Sequence, residues 1–132
     1  MKMIKILIPV FVFISCMESK ADDFKKAELQ RWEDQFNLVA DEGRRLWTSP
    51  EIGTNGVVCA QCHPNGANTH PETYPKFQKQ LGHVAVIAEM INWCIRNPLE
   101  GEPLDIDSAE MIAIQAYLAR ERQGVKLAPG KH

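Results

Sequence analysis

A chain of 132 residues has room for one domain with a modest core and not for two. With 45% hydrophobic and 24% charged residues it is an ordinary globular composition, which excludes collagen-like, low-complexity and disordered classes. The net charge of −2 comes without a basic patch or stripe, so no nucleic-acid partner is expected.

The N-terminus reads as a targeting segment. Lys2 and Lys5 form a basic start, Ile6 to Ile14 an apolar run, and Ser19-Lys20-Ala21 a small-residue cleavage signal. The run is too short to span a bilayer, which needs about 20 apolar residues. The expectation is a signal peptide over 1–21 and an exported domain over 22–132, periplasmic or in an equivalent extracytoplasmic space. Phe13-Ile14-Ser15-Cys16 offers the alternative of lipid attachment at Cys16. Losing 1–21 removes three lysines and one glutamate, taking the net charge from −2 to −4.

Three helices follow. The first is expected over 23–47, where Trp32, Phe36, Val39, Ala40, Gly43, Leu46 and Trp47 recur at three- and four-residue spacing and Asp22 or Asp23 can cap. Residues 48–75, rich in proline and glycine, read as loop. A second helix is expected over 76–97, with a stripe of Leu81, Val84, Ala85, Ala88, Ile91 and Ile95 and a stop before Pro98. A third opens at Asp107-Ser108-Ala109-Glu110 as a capping box, with Met111, Ile112, Ile114, Tyr117 and Leu118 apolar and Gly124 as stop. No strand alternation of useful length appears, so the fold class is all-α.

Within the loop lies Cys59-Ala60-Gln61-Cys62-His63, the attachment pattern of c-type haem. Two thiols three positions apart can each add to one vinyl group of a single porphyrin, and the adjacent histidine is then held under the iron. One haem c is expected, bound covalently through Cys59 and Cys62 with His63 as iron ligand. A redox disulfide would want a βαβ frame that the sequence lacks. A zinc site drawing on His70 would want a second metal-ligand pair.

The surroundings extend the reading into a resemblance. Ala40-Asp41-Glu42-Gly43-Arg44-Arg45-Leu46-Trp47 looks like the Gly-x-x-Leu-aromatic end of the first helix in class I cytochromes c. That likeness implies the class I fold, three to five helices around one haem. It implies that Gly43 and Trp47 cross the last helix near Tyr117. It also implies a proline carbonyl that fixes the proximal histidine, with Pro75 the candidate and Pro71 the alternative. The family's usual methionine ligand precedes the last helix, yet 98–106 contains none. Met90 and Met111 stand on helical stripes, where methionine is more often core filler.

Cys94 is the thiol left over, readable as a buried small hydrophobe, an intermolecular disulfide partner or the distal iron ligand. Met90-Ile91-Asn92-Trp93-Cys94, followed by Asp107-Ser108-Ala109-Glu110-Met111, resembles the haem domains of thiosulfate dehydrogenases and the Sox sulfur-oxidation cytochrome. Small heterodimeric cytochromes of the NaxLS type look similar too. The resemblance maps their cysteine ligand onto Cys94. Trp93, Arg96 and Lys76 are candidate partners of haem carboxylates. His70 is read as a loop residue near the haem edge and His83 as a surface residue.

A thiolate ligand stabilises ferric iron, which points to low-potential electron transfer with a redox partner protein. Carbon monoxide or nitric oxide displacing Cys94 is part of this reading, as is a second small cytochrome in a homo- or heterodimer. On this reading the chain is an electron-transfer or gas-binding haem protein and not itself an enzyme. The alternative is a haem-bearing enzyme or subunit in thiosulfate or inorganic sulfur oxidation.

Overall fold

The structure is a computed structural model that describes residues 24–126. The targeting segment and the caps proposed at Asp22 and Asp23 lie outside the described residues. Helix α1 (Lys26–Thr48) is followed by a one-turn helix α2 (Cys59–Cys62), with short 3-10 turns at Pro50–Ile52, Pro64–Gly66 and Pro71–Thr73. A two-stranded hairpin, β1 (Lys76–Gln78) and β2 (His83–Ala85), leads into α3 (Ile87–Arg96) and α4 (Ala109–Arg122). Among the described residues no helix is long and apolar enough to cross a membrane.

The crossing of α1 and α4 organises the core. Ala40, Gly43, Leu46 and Trp47 form the buried end of α1. They meet Met111, Ala113, Ile114, Tyr117 and Leu118 on α4. A Cβ added at Gly43 would stand 1.9 Å from the Ala113 carbonyl oxygen and 2.8 Å from Tyr117 Cβ, so only glycine permits this approach. Trp47 and Tyr117 pack with ring centroids 5.9 Å apart. On α4, Ile112 is exposed and Ala113 takes the core position, because burial covers more than one face of the helix. The cap also shifts by one residue: Ser108 Oγ accepts from the Met111 amide, and helix starts after it. The rest of the expected α1 stripe, Trp32, Phe36 and Val39, remains exposed.

The expected long second helix is two elements. Its first half is the hairpin, paired antiparallel with Lys76 opposite Ala85, Phe77 opposite Val84 and Gln78 opposite His83. The turn closes when the amides of Leu81 and Gly82 donate to the Gln78 carbonyl at 3.1 and 2.8 Å, with Gly82 at φ +75°. That left-handed backbone suits glycine and ends any helix there. Only Ala88, Ile91 and Ile95 of the expected stripe form the buried face of a helix.

The segment before α4 is pinned from two sides. Thr54 and Asn55 bond the carbonyls of Leu99, Glu100 and Pro98 across to the first loop. Asn92 donates to the Leu104 carbonyl and accepts the Leu104 amide, both at 2.8 Å. Asparagine in mid-helix usually competes with the backbone; here its amide instead completes the hydrogen bonding of a neighbouring segment.

Candidate cofactor site

Helix α2 exists because the Val58–Cys62 segment closes one turn, with the His63 amide donating to the Cys59 carbonyl at 2.9 Å. That turn presents Cys59, Cys62 and His63 to one cavity of about 730 Å3. Its remaining wall includes Trp47, Leu118, the hairpin residues Lys76, Phe77 and Gln78, and Met90, Ile91, Trp93 and Cys94 from α3. The sequence motif and the leftover thiol therefore share one chamber, although they lie on different elements.

His63 is tightly oriented. Its Nδ1 lies 2.8 Å from the Ala67 carbonyl oxygen and acts as donor there, which leaves Nε2 for a metal. Trp47 Nε1 donates to the His63 carbonyl at 2.9 Å, tying the histidine to the α1–α4 core. The carbonyl assigned to Pro75 or Pro71 is thus that of Ala67. Pro75 follows a cis peptide bond, is exposed, and lies outside the cavity wall. A carbonyl four residues along a tight loop reaches the ring first.

The other expected residues divide. Trp93 and Lys76 line the cavity, whereas Arg96 is exposed at the end of α3 and does not. Met111 is 0% exposed in the core, which removes it from the cavity; Met90 lines the wall. His70 is buried, but its Nδ1 faces Arg122 and Glu72, away from the cavity wall. His83 is exposed on β2 and bonds Glu89 at 2.9 Å. Ala67, Tyr74 and Gln78 are the contributors that sequence reasoning passed over. A carbonyl carries no side-chain signature, Tyr74 lies in a loop without periodic pattern, and Gln78 belongs to a hairpin whose apolar spacing imitates a helix.

The electrostatics give neither Cys59 nor Cys94 the character of a reactive redox thiolate. Burial, with Cys94 adding to it, pushes the Cys59 thiol up to about 11. Burial, then the neighbouring Cys62, pushes Cys94 up as well. Reactive cysteines instead have lowered values. Lys76 is held below the usual lysine range by burial, sits 4.6 Å over the Tyr74 ring, and donates to Thr73 Oγ1 at 2.8 Å. Among the described residues no three His, Cys, Asp or Glu side chains converge as a metal-binding group of their own.

A c-type haem fits these residues. The chamber is mostly apolar-lined, the two motif thiols stand on one turn and form no disulfide, and an oriented imidazole adjoins them. Cys59 and Cys62 could carry the thioether bonds, His63 the iron on one side, and Cys94 or Met90 a sulfur donor on α3.

Comparison with known proteins agrees. The family profile described as SoxA/TsdA, cytochrome c domain, matches residues 42–127. The chain is 29% identical over 112 residues to the L-cysteine S-thiosulfotransferase subunit SoxA of Rhodovulum sulfidophilum, covering 83% of this chain and 39% of that protein. It is 34% identical over 100 residues to the thiosulfate dehydrogenase of Psychrobacter arcticus, covering 66% of this chain and 31% of that protein. The crystal structure of SoxXA from P. pantotrophus is similar in fold, with a TM-score of 0.62 at 19% identity over 75% of this chain and 39% of that chain. The chain spans 31–39% of the length of these relatives.

Proposed function

The chain belongs to the SoxA/TsdA cytochrome c domain family, with its class I fold and covalent c-type haem, and from that premise we propose a thiolate-ligated, low-potential electron-transfer protein. In this reading Cys59 and Cys62 hold the haem, and His63 and Cys94 supply its axial ligands. The bound haem contributes one-electron chemistry, and the protein contributes ligation, orientation and exclusion of water.

One observation carries the proposal: Cys94 lines the same cavity as Cys59, Cys62 and His63. A cysteine ligand is anionic once bound, so it stabilises the ferric state more than a methionine thioether does. On the other side, the Ala67 carbonyl makes the His63 imidazole a stronger donor and adds to the same preference. The reading includes export ahead of residue 22, a redox partner protein, and displacement of Cys94 by carbon monoxide or nitric oxide. Paired absorption and electron paramagnetic resonance spectra of the ferric protein and its Cys94→Ala variant test it. Low-spin thiolate features present in the first and lost in the second are expected. Identical spectra would take Cys94 off the iron and leave Met90 or an open site.

A second reading is a subunit in sulfur-compound oxidation, possessed of its own partner cytochrome. It is favoured by the relatives, whose names are thiosulfate dehydrogenase and L-cysteine S-thiosulfotransferase subunit. Turnover of thiosulfate by the isolated protein, or a second small cytochrome that co-purifies and confers turnover, would support it over simple electron transfer.

A further inference from the structure

Buried His70, half-buried Arg122 and the more exposed Glu72 form a cluster beside the proximal loop that lines no part of the cavity. His70, 7% exposed, meets Arg122 from the last turn of α4, whose Nη2 lies 3.1 Å from His70 Nδ1 and 3.4 Å from Glu72 Oε1. His70 Nδ1 also lies 3.3 Å from Glu72 Oε1, so the guanidinium, which can only donate, sits between the imidazole nitrogen and the carboxylate and ties both to the end of α4. Arg122 Nε is itself buried with no protein partner. Keeping that donor unpaired is costly, so the bonds made by Nη2 are held against a penalty.

The loop that Arg122 grips is strained. Asn65, Asn68 and His70 all occupy left-handed backbone, at φ 51°, 62° and 48°. His70 also precedes Pro71, which restricts its backbone further. Asparagine tolerates that region, so the strain falls mainly on His70, which stays there only because its surroundings over-determine it. Here α4 supplies much of that restraint. Leu118 and Glu121 back the loop at Gly66, where an added Cβ would stand 3.0 Å from Leu118 Cδ2 and 3.7 Å from Glu121 Cβ. Arg122 fixes the far end of the loop at His70, whose carbonyl also accepts from Thr73 Oγ1 at 2.7 Å. Between these two anchors stands Ala67, whose carbonyl meets His63 Nδ1 at 2.8 Å.

We propose that Arg122 is a positioning residue for the proximal histidine, holding the Ala67 carbonyl on His63 Nδ1 by clamping the loop at His70. The proposal rests on the reading of His63 as iron ligand. Releasing the clamp weakens the Ala67 bond, makes the imidazole a poorer donor, and raises the reduction potential.

The test uses the haem-loaded full chain and its Arg122→Met, Arg122→Lys and Arg120→Met variants. Arg120, on the same helix as Arg122, pairs with Asp41 of α1 at 2.8 Å and does not bond the loop, so its variant reports loss of helix anchoring alone. The readouts are reduction potential by redox titration and exchange of the His63 Nδ1 proton by paramagnetic NMR. Arg122→Met should raise the potential, by up to about tenfold in the ratio of reduced to oxidised protein at fixed applied potential, and speed the exchange. Arg122→Lys should restore part of both, and Arg120→Met should move neither. Wild-type potential and exchange in Arg122→Met would overturn the proposal. If that variant does not fold, His70→Asn removes the ring but suits left-handed backbone. A raised potential there supports the clamp, and an unchanged one overturns it. Absence of covalent haem from the unaltered protein, read by pyridine haemochrome absorbance, would instead overturn the reading beneath it.

Discussion

Replacing Gly43 by alanine sets two opposing effects against each other at the centre of the fold. Alanine is the better helix former, and in the interior of α1 the exchange alone would gain about 1 kcal/mol. Against this, the new methyl would stand 1.9 Å from the Ala113 carbonyl oxygen and 2.8 Å from Tyr117 Cβ. Comfortable contact needs about 3.5 Å, so the helices must part by roughly 1.5 Å at their closest point. Both obstacles are backbone or the first side-chain atom, so no rotamer change relieves them. Overpacking of this kind costs about 1–3 kcal/mol, and parting the helices also loosens Leu46, Trp47, Tyr117 and Leu118, which are all at most 4% exposed. The clash should win, with a net loss of about 1 kcal/mol. Denaturant unfolding of the haem-loaded protein, followed by far-ultraviolet circular dichroism, measures it. A variant as stable as the parent, or more so, would mean that propensity prevails and that the crossing is looser than the geometry requires.

Asn92→Leu should cost about 2–4 kcal/mol, because it leaves both the amide and the carbonyl of Leu104 without their partner; the same unfolding measurement reads it. Trp47→Phe keeps the packing against Tyr117 but deletes the bond to the His63 carbonyl, so a loss of about 1 kcal/mol is expected in unfolding, with a Soret band of unchanged intensity. The exposed pair His83–Glu89 predicts a pH dependence. Donating Nε2–H to the Glu89 carboxylate raises the His83 value above 6.5, and accepting that bond lowers Glu89 below 4.5. The histidine contribution is complete below pH 6.5 and fades as the pH rises through the raised value; the glutamate contribution fades only in acid. A small decline in the unfolding midpoint from pH 6 to 8 is therefore expected, flattened in His83→Gln. An identical slope in that variant would remove the pair from the account.

What the sequence disclosed follows from how each feature is encoded. Haem attachment needs two thiols and a histidine at fixed spacing, so the chemistry is written in side chains and could be read directly. Helices α1 and α4 were legible because Gly43, Leu46, Trp47, Ile114, Tyr117 and Leu118 repeat at helical spacing and meet one another. The hairpin was not. Leu81, Val84, Ala85 and Ala88 fall at helical spacing by coincidence, while the deciding residue is Gly82, whose left-handed backbone closes a turn. The acceptor for His63 was missed for a different reason: any residue has a carbonyl, and the one at Ala67 is selected by loop conformation alone. Arg96 is a candidate by its charge alone, yet it stands two residues beyond Cys94, and two residues along a helix point to different faces.

The absence of a methionine from residues 98–106 gains a physical meaning from the hydrogen bonds around that segment. Thr54 and Asn55 tie it to the first loop, Asn92 ties Leu104 to α3, and Gly101 packs so closely on the Ile52 carbonyl that an added Cβ would stand 2.0 Å away. A segment bound on both sides and lacking a sulfur atom cannot deliver a ligand. Met111 cannot either, being 0% exposed in the core. The remaining sulfur atoms on the cavity wall outside the attachment motif are those of Met90 and Cys94, one turn apart on α3. They differ in how firmly they are held. Met90 has three rotatable bonds and fits many arrangements. Cys94 has one, and its own carbonyl accepts the Leu99 amide at 3.3 Å, while the Gly101 amide donates to the neighbouring Ile95 carbonyl at 2.8 Å. The bonds that immobilise the methionine-free segment therefore also fix the turn that carries Cys94. A short side chain on a fixed turn loses little freedom on binding a metal, and this preorganisation favours Cys94 over its neighbour as the distal donor.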